Sequence, residues 1–272
     1  MSLIVSDPQI IDDIDDEFVD VDFTKDERFV FGDRGRNPSK LMCAVADDEV
    51  ALIPEIQWRA EAEKLAGMGG GLDRLVVNVF DQGSEGSCVG NATTQCHQVM
   101  QAAQFGKANV VKLSAISLYK RIGSSPNSGA MVDDALEEIQ ARGIVPLDTP
   151  ENRARFGNAV MPPRGFNTPL PHNWQDVANQ FRSDERLIIQ SEAALFSCLF
   201  RGFPVVVGRA GHSILYLRPV WTGSKWLIKY VNSWREDWGE RGFGYDSASL
   251  FRESARWAFA LRSIVVPSGL GL

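Results

Sequence analysis

The chain has 272 residues, 44% of them hydrophobic, and a formal net charge of −7. That length and apolar content suffice for one large domain or two lobes sharing a cleft. No basic stripe points to nucleic acid, no run of roughly 18 apolar residues points to a membrane span, and Cys43, Cys88, Cys96 and Cys198 lack the CxxC spacing of a zinc site. Neither a metal nor an organic cofactor is expected.

Residues 1–50 are acidic and irregular, with Asp12, Asp13, Asp15, Asp16, Glu17, Asp20 and Asp22 ahead of a short apolar patch, Phe29-Val30-Phe31. Such a stretch reads as a solvated tail or a pro-segment rather than a core. The start, MSLIVSDPQI, has neither a basic n-region nor an apolar h-region. As written, the chain therefore reads as cytoplasmic, with secretion left open if a native leader was removed. Composition changes at Ala51–Trp58, and residues 51–272 are expected to form the folded domain. Residues 67–71, GMGGG, read as a flexible loop.

A helix is predicted from Cys88, because Val89, Ala92, Cys96, Val99, Met100 and Ala103 recur at three- and four-residue steps. It stops near Gly106. Residues 113–122 and 133–141 are further helices, the second ended by Gly143. Residues 144–183 are rich in Pro and Arg and read as mostly loop. Ser191 caps a fourth helix through Phe200, with Gly202 after it. Residues 205–208, 213–217, 226–231 and 257–266 read as strands, with a hairpin turn at 222–225. Helices followed by antiparallel strands make an α+β arrangement whose cleft would bring Cys88 against His212.

Four pieces carry chemistry: Gln82 and Cys88 in DQGSEGSC, His212 in AGHSILYL and Asn232 in VNSWREDWG. Cys88 follows a Gly-Ser turn and opens a helix, whose positive end favours thiolate. Cys96 and Cys198 lack that setting and read as small core residues. His212 is placed to pair with the thiolate and protonate a leaving amine. Taken alone it reads as a structural histidine of the sheet, Asn232 as a turn residue and Trp234 as a core aromatic. His97 lies nine residues into the Cys88 helix, about 13 Å along its axis, too far to serve as base. His172 sits in a Pro-rich loop. The Asn232 oxygen can accept the second imidazole proton, under cover of Trp234. The Gln82 amide and the Cys88 N–H can hold a developing oxyanion.

In this combination the residues resemble the papain-like cysteine peptidases, whose His and Asn lie about 130–150 residues after the cysteine. Here the separations are 212 − 88 = 124 and 232 − 88 = 144. DQGSEGSC is similar to QGxCGSC, and NSWREDWGERGF to NSWGxxWGExGY. IPEIQWR at 53–59 is similar to the stretch that opens the mature enzymes. The resemblance implies a two-lobe fold, a helical lobe facing an antiparallel β-barrel-like lobe. It gives Cys88 the role of nucleophile, His212 of base and acid, Asn232 of orienting amide and Gln82 of oxyanion donor. Ser128, Gly129 and Trp234 would then line the peptide-binding cleft. Glu85 stands where the family has a disulfide cysteine, Val89 replaces an aromatic and Arg235 a glycine, and the connection from Val207 to His212 is very short. The absent bridge fits a bacterial-type member.

The leading expectation is a thiol endopeptidase acting on a peptide or protein through an acyl-enzyme. Residues 1–50, lacking the family's helical pro-segment motif, are expected either to block the cleft as a zymogen segment, with Phe29–Phe31 nearest the thiol, or to remain a tail. The same residues would serve a deamidase or acyltransferase. A catalytically dead binding module is the third reading.

Overall fold

Residues 14–26, 28, 30–37, 44–255 and 257–265 are described by the structure, a computed structural model. The expectations for Phe29, Cys43 and the strand end at Val266 lie outside them. In chain order the elements are β1 (Ala44–Val45), α1 (Ala46–Glu49), α2 (Glu55–Gly67), α3 (Cys88–Phe105), α4 (Ala115–Ile122), α5 (Val132–Ala141), α6 (Pro150–Phe156) and α7 (Trp174–Ala178). There follow β2 (Arg186–Ile188), α8 (Glu192–Phe200), β3 (Val205–Arg209), β4 (His212–Trp221), β5 (Trp226–Val231), β6 (Phe243–Ser247), α9 (Ala248–Ser254) and β7 (Trp257–Leu261).

Local signals set several boundaries. The Ser191 hydroxyl accepts from the Ala194 amide at 3.0 Å and starts α8. Gly143, just past α5, takes φ +74°, where a side chain would be strained. Residues 144–183 are less loop-like than their composition suggests. Pro150 occupies the first turn of α6, and the Thr149 hydroxyl accepts from the Asn152 amide.

The strands form one seven-stranded sheet in the order β1-β2-β7-β3-β4-β5-β6. Its pairs are antiparallel except β1 with β2. Alternation along β3 sends Val206 to one face and Val205 and Val207 to the other, and all three are buried. On the first face Val206 packs with Leu215 and Phe259 against the helical lobe built on α3, α4 and α5. On the second face Val205 and Val207 pack with Leu195, Phe196 and Tyr216 over α8. The seam between helical lobe and sheet is α3, which is buried on all sides from Cys88 to Ala102. Its polar side makes specific bonds: Gln98 accepts from the Leu113 amide at 2.6 Å and Gln101 from the Val111 amide at 3.0 Å.

The described part of the N-terminal stretch packs on the folded domain rather than standing off as a solvated tail. Val19 bridges to Tyr245 beside β6, and β1 extends the opposite sheet edge along β2. Phe23 is fully buried in the core of the sheet lobe. Phe23 stands alone in the acidic run, so no local pattern marks it, and Val21 and Phe31 pack beside it on the same core.

Candidate active site

The lobes are joined where residues 80–82 run antiparallel to 233–235. The Gln82 amide donates to the Ser233 carbonyl at 2.9 Å and the Arg235 amide to the Phe80 carbonyl at 3.0 Å. This pairing carries Gln82, and the loop that ends at Cys88, onto Asn232-Ser233-Trp234. Arg235 takes φ +72°, a backbone conformation that favours the glycine it replaces.

The short connection before His212 is a tight hairpin. Arg209 pairs with His212, and the two residues between, Ala210 and Gly211, have φ +52° and +76°. Positive φ at both central positions is the type I′ turn that matches strand twist. It sets His212 as the first residue of β4, facing the cleft.

His212 and Asn232 meet as expected, with His212 Nε2 2.8 Å from Asn232 Oδ1. The Ser233 amide also donates to that oxygen at 2.7 Å, fixing it as the acceptor. Nε2 is therefore the protonated nitrogen, and Nδ1 is left as the free base. Trp234 stacks on the imidazole with centroids 4.6 Å apart at 29°. Gln82 is oriented by Ser233, whose hydroxyl donates to Gln82 Oε1 at 2.7 Å. Its Nε2 is thereby turned toward the cleft. Ser233 has a positioning task that the sequence pattern does not reveal.

Cys88 begins α3 and is fully buried. Backbone amides of Ser213, the residue after His212, and of Gly32 face its sulfur. Folding thus brings the thiol beside the strand that carries the imidazole. No hydrogen bond joins Cys88 to His212 among the described residues. Burial, and then the Asp33 carboxylate, push the thiol up to about 12. Burial pushes His212 down to about 4, opposed by Asn232 and assisted by Arg209. Both shifts disfavour the charged members of the expected thiolate–imidazolium pair, because protein, not water, surrounds both groups.

That protein is the N-terminal segment. The Phe23 ring meets His212 edge-on at 4.8 Å and sits under the Arg209 guanidinium at 4.1 Å. Arg209 forms a two-point pair with Asp246 at 2.8 and 2.7 Å and donates to the Val21 carbonyl at 3.0 Å. Further along, Gln82 Nε2 donates to the Val30 carbonyl at 3.0 Å. Residues 32–34 then bridge the two lobes. The Ala130 amide donates to the Gly32 carbonyl at 2.7 Å, the Arg34 amide to the Ala130 carbonyl at 2.9 Å, and the Asp33 amide to the Gly211 carbonyl at 2.9 Å.

Of the three residues expected to bind substrate, Trp234 lies against the imidazole and Gly129 against the segment, where a Cβ would come within 2.4 Å of Gly32 O. The Ser128 hydroxyl is turned into its own loop, accepting from the Ser124 amide at 2.9 Å. The cleft edge is instead the backbone of Ala130, which no side-chain signal marks. Glu85 clamps the 165–166 loop, accepting from the amides of Gly165 and Phe166 at 3.2 and 2.7 Å. Cys88, Cys96 and Cys198 are free thiols. No group of acidic, His and Cys side chains fit for a metal, and no helix able to cross a membrane, occurs among the described residues.

A helical lobe and a sheet lobe, with a thiol at a helix start on one side of the seam and a histidine–asparagine pair on the other, make this a papain-like fold. Xylellain, a cysteine protease from Xylella fastidiosa, superposes with a TM-score of 0.55 at 18% identity, over 70% of this chain and 82% of that one. Digestive procathepsin L 3 of Tenebrio molitor larval midgut gives 0.59 at 18% identity, over 86% and 76%. ProCathepsin B S9 from Trypanosoma congolense gives 0.56 at 13%, over 86% of each chain. In sequence the chain is 27% identical over 217 residues to the thiol protease SEN102 of Hemerocallis sp.. That alignment covers 72% of this chain but only 55% of the relative, so the chain spans about half the length of the curated relative it matches. No family model matches.

Proposed function

We propose that the chain is a thiol endopeptidase that cleaves peptide bonds through a Cys88–His212–Asn232 site and is held closed by its own N-terminal segment. The observation that carries this reading is an extended peptide already lying in the cleft. Residues 30–34 place a carbonyl on Gln82 and bond through their main chain to both walls, Ala130 and Gly211. Main-chain bonding to an extended strand is how a site holds peptides of varied sequence.

In the opened enzyme water reaches the pair, and the proton moves from Cys88 to His212 Nδ1. The thiolate adds to the scissile carbonyl, and the oxyanion forms where the Val30 carbonyl now sits, on Gln82 Nε2, with the Cys88 N–H at the start of α3 as second donor. His212 returns the proton to the leaving amine. It then takes one from water, which attacks the thioester and frees Cys88. Asn232 keeps the imidazole in the tautomer with Nδ1 toward the sulfur.

The test is digestion of a peptide library by the full chain carrying Phe23→Ala, with the Cys88→Ala version as control. New termini that depend on Cys88 support the reading. A small mass gain on glutamine without new termini replaces it with deamidation.

A further inference from the structure

Within the cleft segment, the Asp33 side chain enters a formed polar pocket. Its two carboxylate oxygens lie 3.2 and 3.1 Å from the indole Nε1 of Trp257, at the start of β7. Oδ1 also accepts from the Gly35 amide at 2.7 Å. The room for it comes from Gly208 of β3. A Cβ there would come within 2.2 Å of Asp33 Oδ2 and 2.1 Å of the Trp257 ring. The main chain of Asp33 is held between Ala130 and Gly211, so the pocket opens at the point where the cleft grips an extended peptide.

We propose that this pocket, walled by Gly208 and Trp257 beside the Ala130 edge, sets substrate choice by selecting a residue with a short side chain that accepts a hydrogen bond, carboxamide or carboxylate. The inference rests on the peptidase reading and adds the substrate class. An indole N–H is a donor only, so an aliphatic or cationic side chain leaves it unpaired in a largely buried setting. The two acceptors differ in charge. A carboxylate in the pocket opposes the thiolate that attack requires, since Asp33 already adds to the raised Cys88 pKa. A carboxamide makes the same bond without that cost. The pocket therefore turns over asparagine-type residues faster, while the acidic Asp33 suits a blocking segment.

Two measurements test it. The first needs no catalysis. Amide hydrogen exchange at Ala130 and Arg34 is compared in full chains carrying Asp33→Asn or Asp33→Leu, which lose the same charge. Leucine should speed exchange over asparagine, and the gap should narrow about fivefold, the worth of one hydrogen bond, in a Trp257→Phe background, where only the bond from the Gly35 amide still separates the two. Equal exchange in Asp33→Asn and Asp33→Leu, or a gap that Trp257→Phe leaves unchanged, overturns the pocket. The second is a positional peptide scan with the full-length Phe23→Ala chain. At the subsite that responds to Trp257→Phe, asparagine should exceed leucine roughly tenfold in kcat/KM, with aspartate between. Cleavage without that preference rejects the pocket and leaves the peptidase reading standing. The expected exchange pattern without any cleavage rejects the peptidase reading instead.

Discussion

Replacing Phe23 with alanine should open the cleft. Phe23 is fully buried, packs on His212, Trp234 and Tyr230, and lies beneath the Arg209 guanidinium. Truncating a phenylalanine buried in this way costs about 3–5 kcal/mol. The loss falls on the docked segment, so the open population should rise by roughly 10²- to 4 × 10³-fold, at about 1.4 kcal/mol per decade. Alkylation of Cys88 by iodoacetamide near neutral pH reads that population. With its pKa pushed up to about 12, the docked thiol is unreactive, and labelling must pass through the open state. The variant should therefore label Cys88 at least a hundredfold faster, while the buried Cys96 and Cys198 stay unlabelled as a control for global unfolding. A rate within about twofold of the parent chain would refute control by the segment, because a side chain worth that much cannot be lost from the lock without effect.

Other perturbations separate the parts of the account. Gln82→Ala should lower kcat by roughly 10²–10³ yet speed Cys88 alkylation, since the same amide holds the Val30 carbonyl. If both readouts fall together, Gln82 is only structural. Arg209→Ala should cost about 3–5 kcal/mol in urea unfolding by stranding buried Asp246, and Arg209→Met with Asp246→Leu should recover most of it. A double variant as unstable as the single would contradict this. The stability of the chain should also fall with acidity. His97 is pushed down to about 4 by burial from an ordinary value of 6.5. Between those values the unfolded chain binds a proton that the folded one refuses, so stability is lost as pH drops through the window. His97→Gln should make the loss between pH 7 and pH 5 smaller by roughly 2 kcal/mol. Equal pH slopes in the two chains would sink that assignment.

What the sequence shows of this fold depends on whether the signal is local. Ser191, Gly143 and the apolar steps from Val89 to Ala103 mark α8, α5 and α3 because caps and periodicity act within a few residues. The helix α2 escapes notice because Trp58 is its only buried residue, and no stripe develops over residues 55–67. The pairing of His212 with Asn232 could be inferred from motif and spacing. Three features could not. Ser233 orients Gln82 across 151 positions of sequence. Ala130 offers the cleft only its backbone. Phe23 is a single apolar residue in an acidic run, and the pocket that receives it is built by residues 209–238.

The most direct test of the account is to treat the full-length Phe23→Ala chain with a peptidyl epoxide and map the adduct by tandem mass spectrometry. One adduct on Cys88, lost on changing His212 to alanine, is the result required by a thiol activated by that imidazole. Modification of Cys96 or Cys198, or labelling of Cys88 that is indifferent to His212, would contradict it.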